Sequence, residues 1–340
     1  MVSERGLAVL RAIVSDYVSS REPVGSKAIV ERHSFGVSAA TIRNDMAQLE
    51  DEELIHAPHT SSGRIPTDKG YRLFVDHLAE QRPLSPAQRG AIQEFLGDGV
   101  GLDDVLSRTV RLLSQLTNQV AIVQYPSFAR AQVRHVELVS LGDARLLVVL
   151  ITDNGRVEQR TVEVTAPLST QDVDDLKVRI NHELLGHSVE DASRVLVRVR
   201  ALGVPGHPGL VDRICDALDE QLAEYRQDRL VMSGTANLAR SEEDFAGSIY
   251  PVLEALEQQV VLMRLFGEMS IDAAGITARI GRENEPFGLA ETSIVAGNYR
   301  SSAGEIARLG VLGPTRMDYS GNIASVRAVA RYLSRQLGEN

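Results

Sequence analysis

Three runs of side chains in the first eighty residues have types and spacing suited to holding a nucleic acid rather than to making or breaking bonds. In Ser38–Glu50 (SAATIRNDMAQLE), Ala39, Ile42, Met46 and Leu49 recur at three- and four-residue intervals, so a helix there turns one apolar stripe toward a core. The opposite face carries Ala40, Asn44 and Gln48, flanked by Thr41, Arg43 and Ala47. Asn and Gln can each form two hydrogen bonds to an adenine edge, and small residues near a helix N-terminus admit it to the major groove. Thr41 suits a phosphate or a thymine methyl, and Arg43 a phosphate or a guanine. Ser38 is placed to cap the helix, and Glu50 to Glu53 crowd its other end, so the N-terminal end is the reading end. The second run, 58–67 (PHTSSGRIPT), offers His59, Thr60, Ser61 and Arg64 at a hairpin tip, where Arg64 could enter a minor groove or lie along the backbone. Lys69, Tyr71 and Arg72 form the third, with polar tips suited to phosphates. The competing reading of all three is ordinary solvated surface.

Catalytic and metal chemistry finds less support. His182-Glu183-Leu184-Leu185-Gly186-His187 resembles a zinc-binding HExxH, but the two histidines stand five apart, about 140° around a helix, and cannot share an ion. Gly203, Gly206 and Gly209 sit in a Pro-interrupted loop, unlike a phosphate-binding turn after a strand. The single Cys215 lies on the apolar stripe of a helix with Ile214 and Leu218, where a small core residue is expected rather than a nucleophile.

The elements that must position these residues follow from patterning. Leu7, Leu10, Ile13, Val14 and Val18 predict a first helix over 5–18, and Ser26 can cap a short second helix, Lys27 to Arg32. The third runs from Ser38 to about Glu53. A short strand at 54–57, a turn-rich loop at 58–66 and a fourth helix from Asp68 through Leu78 complete the order of a winged helix-turn-helix over 1–82. A linker near 82–86 leads to helical segments over 87–118, interrupted at Gly97–Gly101. Strands are predicted at 119–125, 132–141, 144–152 and 156–165, with Asp153-Asn154-Gly155 as a hairpin turn. After a helix at 170–185 and a strand at 194–200 come long helices near 209–229 and 246–266. Strands at 276–280, 292–299 and 305–312 and a helix over 322–337 close the chain. A sheet begun before residue 165 and completed after 275 implies an insertion between its halves.

Composition bounds the partners. Of 340 residues, 43% are hydrophobic and no apolar run reaches a membrane span, so a globular chain of two or three domains is expected. The charged residues Glu4, Arg5, Arg11 and Asp16 break any signal-peptide core, and one cysteine fits a reducing cytoplasm. The net charge is −10, with ten Lys and Arg against twelve Asp and Glu in residues 1–82, a balance of −2. The module with the nucleic-acid features is therefore not basic, and DNA affinity must come from a few well-placed cations and from dimerisation.

The strings PVGSK at 23–27, SAATIRNDMAQLE at 38–50 and PHTSSGRIPTDKGYRLFVDHL at 58–78 resemble the DNA-binding domain of the HrcA family of heat-shock repressors. SGTANL at 233–238, IGRENE at 280–285 and GVLGPTRMDY at 310–319 continue the resemblance in order. Ser62, Phe74 and Glu53 depart from it, Glu53 standing where many members have a glycine. The resemblance implies an α+β chain in three parts: a winged helix-turn-helix (1–82), a GAF-like α/β domain in two segments (87–185 and 250–340), and an inserted dimerisation domain (186–249). It implies a repressor of chaperone operons that is not an enzyme. Its partners would be a double-stranded inverted-repeat operator of the CIRCE type, a second copy of itself and a GroEL-type chaperonin, with no metal or cofactor. The alternative reading is a metabolite-responsive repressor whose GAF-like domain binds a small ligand.

Overall fold

The computed structural model of the chain describes residues 2–338 except 60–61, 79–83, 97–100, 127–130, 143, 154, 227–228, 246, 248, 270–274 and 302–305. Helices and antiparallel sheets occur together, as an α+β chain requires. No described helix is long and apolar enough to cross a membrane. Contacts divide the chain into two units. The first comprises Met1–Tyr125, Leu230–Tyr299 and Arg308–Arg335; the second comprises Pro126–Arg229, Arg300–Ala307 and Gln336–Asn340.

The first unit opens with α1 (Glu4–Ser20), α2 (Ser26–Arg32) and α3 (Ala39–Asp51). Leu10 and Ile13 of α1, Ile29 of α2 and Ile42 and Leu49 of α3 are fully buried, so this module owns a core. Gly25 rather than Ser26 takes the N-cap position of α2, and Ser26 is buried. A two-residue antiparallel pair follows, β1 (Ile55–His56) with β2 (Ile65–Pro66). Then α4 (Asp68–Leu73), capped by Thr67, continues as one π-helical turn over Phe74–Leu78. Gly70 is demanded by packing, since a Cβ there would lie 2.0 Å from the Leu54 carbonyl oxygen. Helix α3 ends in a Schellman motif: the Leu54 amide bonds to Leu49 O and the Glu53 amide to Glu50 O, both at 2.9 Å. Glu53 occupies the left-handed position, φ 58°, so the stop forms here without the glycine that many family members carry.

Helices α5 (Pro86–Leu96) and α6 (Leu102–Thr117) lead to β3 (Val120–Gln124). The rest of this unit is β7 (Leu230–Ser233), α10 (Thr235–Arg240), α11 (Tyr250–Glu257), α12 (Gln259–Glu268), β8 (Ile276–Ile280), a 3-10 helix over Gly281–Phe287, β9 (Thr292–Arg300), β10 (Ile306–Pro314) and α13 (Tyr319–Gly338). Five strands form one sheet in the order β7-β3-β10-β9-β8. One face receives Phe245, Leu256, Leu262 and Phe266 from the α11–α12 region, in one cluster with Val120, Ile122, Ile294 and Ala296. The other face meets α13, where Tyr319 and Ser293 share a 2.7 Å hydrogen bond. In the 233–238 string, Gly234 (φ 90°) approaches Ser114 and Gln119, and Asn237 donates to Ser114 Oγ at 3.0 Å, so that string ties α10 to the end of α6.

The second unit holds β4 (Val133–Ser140), β5 (Arg145–Thr152), β6 (Val157–Glu163), α7 (Thr170–Leu184), α8 (Val189–Arg200) and α9 (Leu210–Arg226). Here the structure departs from the predicted sheet: β4, β5 and β6 pair among themselves as a three-stranded meander, and only β3 joins the later strands. The reason is burial. Val120–Val123 are buried without alternation, as in a central strand covered on both faces, whereas Leu146, Val148 and Leu150 alternate with partly exposed neighbours. The boundaries at 125/126 and 229/230 thus differ from those predicted at 185/186 and 249/250.

Two further predictions are corrected. Residues 194–200 are helical, because Val189, Ala192, Val195, Leu196 and Val199 bury one face at helical spacing behind a Ser188 cap. The single helix predicted over 246–266 is two, broken at Gln258. Continuing the stripe of Val252, Ala255 and Leu256 would bury Gln259; the break resets the phase so that Leu262, Leu265 and Phe266 are buried instead. Cys215 is fully buried on α9, and burial pushes its thiol up to about 12, far from a nucleophile's range.

Candidate nucleic-acid interface

Helix α3 is anchored from beneath and left open above. Ile42, Asp45, Met46 and Leu49 are buried, at i, i+3, i+4 and i+7. Asp45 is the carboxylate in that stripe, and Arg5 of α1 grips it with two hydrogen bonds of 2.7 and 3.0 Å. Sequence patterning missed this pair, although an acid at a stripe position demands a cationic partner. Ser38 caps the helix as predicted, accepting from the Thr41 amide at 3.2 Å, and its hydroxyl lies 3.0 Å from Thr41 Oγ1. Ala40, Arg43, Asn44, Ala47 and Gln48 are exposed along the outer face, as the periodicity requires. Six predicted residues therefore share one surface: Ser38, Ala40, Thr41, Arg43, Asn44 and Gln48.

The β1–β2 loop is fixed at its base. Val24 and Arg64 exchange two backbone hydrogen bonds of 2.9 Å, bridging the PVGSK and SSGR strings. Gly63 is required there, since a Cβ would fall 2.5 Å from the Pro23 carbonyl oxygen. Ser62 folds the turn by accepting from the His59 amide and donating to its carbonyl, and His59 is exposed. Thr60 and Ser61 lie outside the described residues. The Arg64 guanidinium is half-buried and donates through Nε to Glu50 Oε2 at 2.9 Å, at the last turn of α3. Glu50, at the end of α3 opposite its capped N-terminus, thus pairs with a cation at the base of the loop. Lys27, Arg43 and Arg64 line a cleft of about 360 Å³ between α2, α3 and this loop, together with Ser62 and Gly63. Lys27 was not among the predicted residues, and its link to the loop appears only once Val24 and Arg64 are bridged.

The third predicted run is not part of this surface. Tyr71 is only 3% exposed, its ring 5.5 Å from that of Tyr319, and burial raises its hydroxyl pKa well above the usual value, so it is a core residue rather than a phosphate ligand. Arg72 spends its guanidinium inside the molecule, on both Glu283 oxygens (2.8 and 2.6 Å), the Ala278 carbonyl and Asp76. Lys69 is exposed but donates to the Glu52 carbonyl at 2.8 Å, at the end of α3.

The family model described as HrcA protein C terminal domain matches residues 103–323. A relative from Leifsonia xyli subsp. xyli, "Heat-inducible transcription repressor HrcA", is 64% identical, covering 100% of both chains. One of the same name from Clavibacter michiganensis subsp. michiganensis is also 64% identical with the same coverage. A crystal structure of a hypothetical protein, 25% identical, covers 100% of this chain and 99% of its own with a TM-score of 0.68.

Proposed function

The chain belongs to the HrcA family of heat-inducible transcription repressors, and from that premise we propose that residues 2–78 are a winged helix-turn-helix reading a double-stranded operator through α3. The observation that carries this reading is the outer face of α3, where Ala40, Asn44 and Gln48 stand exposed, with Arg43 beside them, above a stripe held down by Arg5 and Asp45. Asn44 and Gln48 would read base edges, and Ser38 and Thr41 would bond the backbone where the helix enters the groove. Lys27, Arg43 and the 59–64 loop would meet phosphates. The five-stranded sheet is then the GAF-like domain, and the Pro126–Arg229 region inserted between its adjacent strands β3 and β7 carries dimerisation. A twofold dimer needs an inverted repeat, so a CIRCE-like site upstream of chaperone operons is the operator, bound in the cytoplasm.

Activity would follow the availability of a GroEL-type chaperonin rather than a small ligand. The sheet face that could have cradled a metabolite is filled by Phe245, Leu256 and Phe266. Its strands are joined across the long insertion, a topology that folds slowly and exposes apolar surface meanwhile. Selection of bound DNA from a random pool tests the operator reading: an inverted repeat is expected, and an asymmetric consensus overturns it. Dilution from denaturant with and without chaperonin and ATP tests the regulation, and equal recovery of operator binding in both overturns it.

A further inference from the structure

The strings that carried the family resemblance include residues that face inward, and they converge. Asp68 and Arg72 of α4, Gly281 and Glu283 after β8, and Arg316 after β10 form a seam between the N-terminal module and the sheet of the same unit. At one anchor, Arg72 forks both Glu283 oxygens while Asp68 accepts from the Arg282 amide at 2.9 Å. Gly281 (φ 54°) permits that approach, since a Cβ on it would fall 2.2 Å from an Asp68 carboxylate oxygen. At the other anchor, Arg316 (13% exposed) forks Asp244 (5%) at 2.7 and 2.8 Å and donates to the Val18 carbonyl at the end of α1. Arg21 of the module reaches the same Asp244 at 3.1 Å. Helix α1 has no basic residue in its last turn, so Arg316 supplies the cation its C-terminus favours.

Resting on the reading of this chain as a dimeric operator-binding repressor, we propose that this seam is a spacing gauge: it fixes the angle at which each recognition helix is presented, and so sets the half-site spacing the dimer accepts. Stability alone does not account for it. The three-helix module has its own core, and a partly exposed pair such as Arg72–Glu283 contributes little to folding. A buried pair such as Arg316–Asp244 could be replaced by apolar residues at no net loss. What two planar forks at separate points do supply is resistance to rotation, which a single contact or a flexible linker lacks. The avidity of a dimer is lost when geometry forbids both contacts, so a module held at one angle selects one spacing.

The test uses the full chain carrying Glu283→Gln or Arg72→Lys, with thermal melting to establish folding, against a half-site, the selected palindrome, and palindromes whose spacer is altered by a base pair or by half a helical turn. The intact protein is expected to lose roughly tenfold or more in affinity when the spacer changes, as bivalent contact is broken. The variants should bind the half-site as the intact protein does, bind the palindrome more weakly, and tolerate altered spacers. Arg72→Lys keeps the charge and loses the fork, so relaxed spacing in this variant with an unchanged half-site affinity marks a lost rotational restraint, which a merely structural role would not produce. A variant that melts normally and keeps the full spacing profile overturns the proposal. If the intact protein binds half-site and palindrome equally, the dimer reading itself falls and takes the gauge with it.

Discussion

The outer face of α3 and the inner face of α4 come from the same module, both polar and both from motif strings, yet their side chains have opposite fates. Asn44, Gln48 and Arg43 stand exposed on α3. On α4, Tyr71 is buried against Tyr319 and Arg72 is bound to Glu283, Ala278 and Asp76. Neither charge nor hydrogen-bonding capacity separates the two sets; the far side of the contact does. In this module Arg43 stands exposed on α3, whereas Arg72 is engaged by the Glu283 and Asp76 carboxylates.

The largest test of that contrast is Asp244→Ala. It leaves the Arg316 guanidinium nearly buried with no carboxylate opposite it, so stability should fall by about 3–5 kcal/mol, measured by urea unfolding. A loss within experimental error would mean the seam is looser than described. Next is Asn44→Ala, expected to weaken operator binding by about 1–3 kcal/mol while leaving nonspecific DNA binding and melting nearly unchanged. Equal losses on operator and random DNA would remove Asn44 from base reading. Glu50→Gln probes the boundary between the two classes, since Arg64 lies beside α3 but is paired. If the pair withholds a phosphate contact, binding tightens and the slope of log K against log salt steepens by about 0.9, one counterion. Weaker binding with an unchanged slope would instead make Arg64 a brace for the loop. The smallest effect is Glu53→Gly, which relieves the left-handed residue and should stabilise by about 0.5–1 kcal/mol, leaving operator affinity as it was.

Legibility in the sequence followed the range of the interactions involved. The strand at 276–280 and the helix starting after Ser169 were readable to within a residue, because period, cap and turn residues are local. The exposed outer face of α3 was legible for the same reason. Strand β7 was not: its four residues are a strand through pairing with β3, whose Gln124 lies opposite Leu230. The fates of Arg72 and Arg64 depended on Glu283 and Glu50, 211 and 14 positions away, and nothing in a window around either arginine names its partner. Alternation hid the separate sheet as well, since β4 to β6 have the pattern of strands that could have joined the larger one.

The separation of 211 residues between Arg72 and Glu283 also orders events during synthesis. The N-terminal module leaves the ribosome first and holds the residues of its own core, but Glu283 follows only after roughly 10–40 s of further elongation. Arg316 arrives later still, 298 positions after Val18. A nascent chain can therefore complete the core beneath α3 before either anchor can form, and only a chain translated past Arg316 carries both.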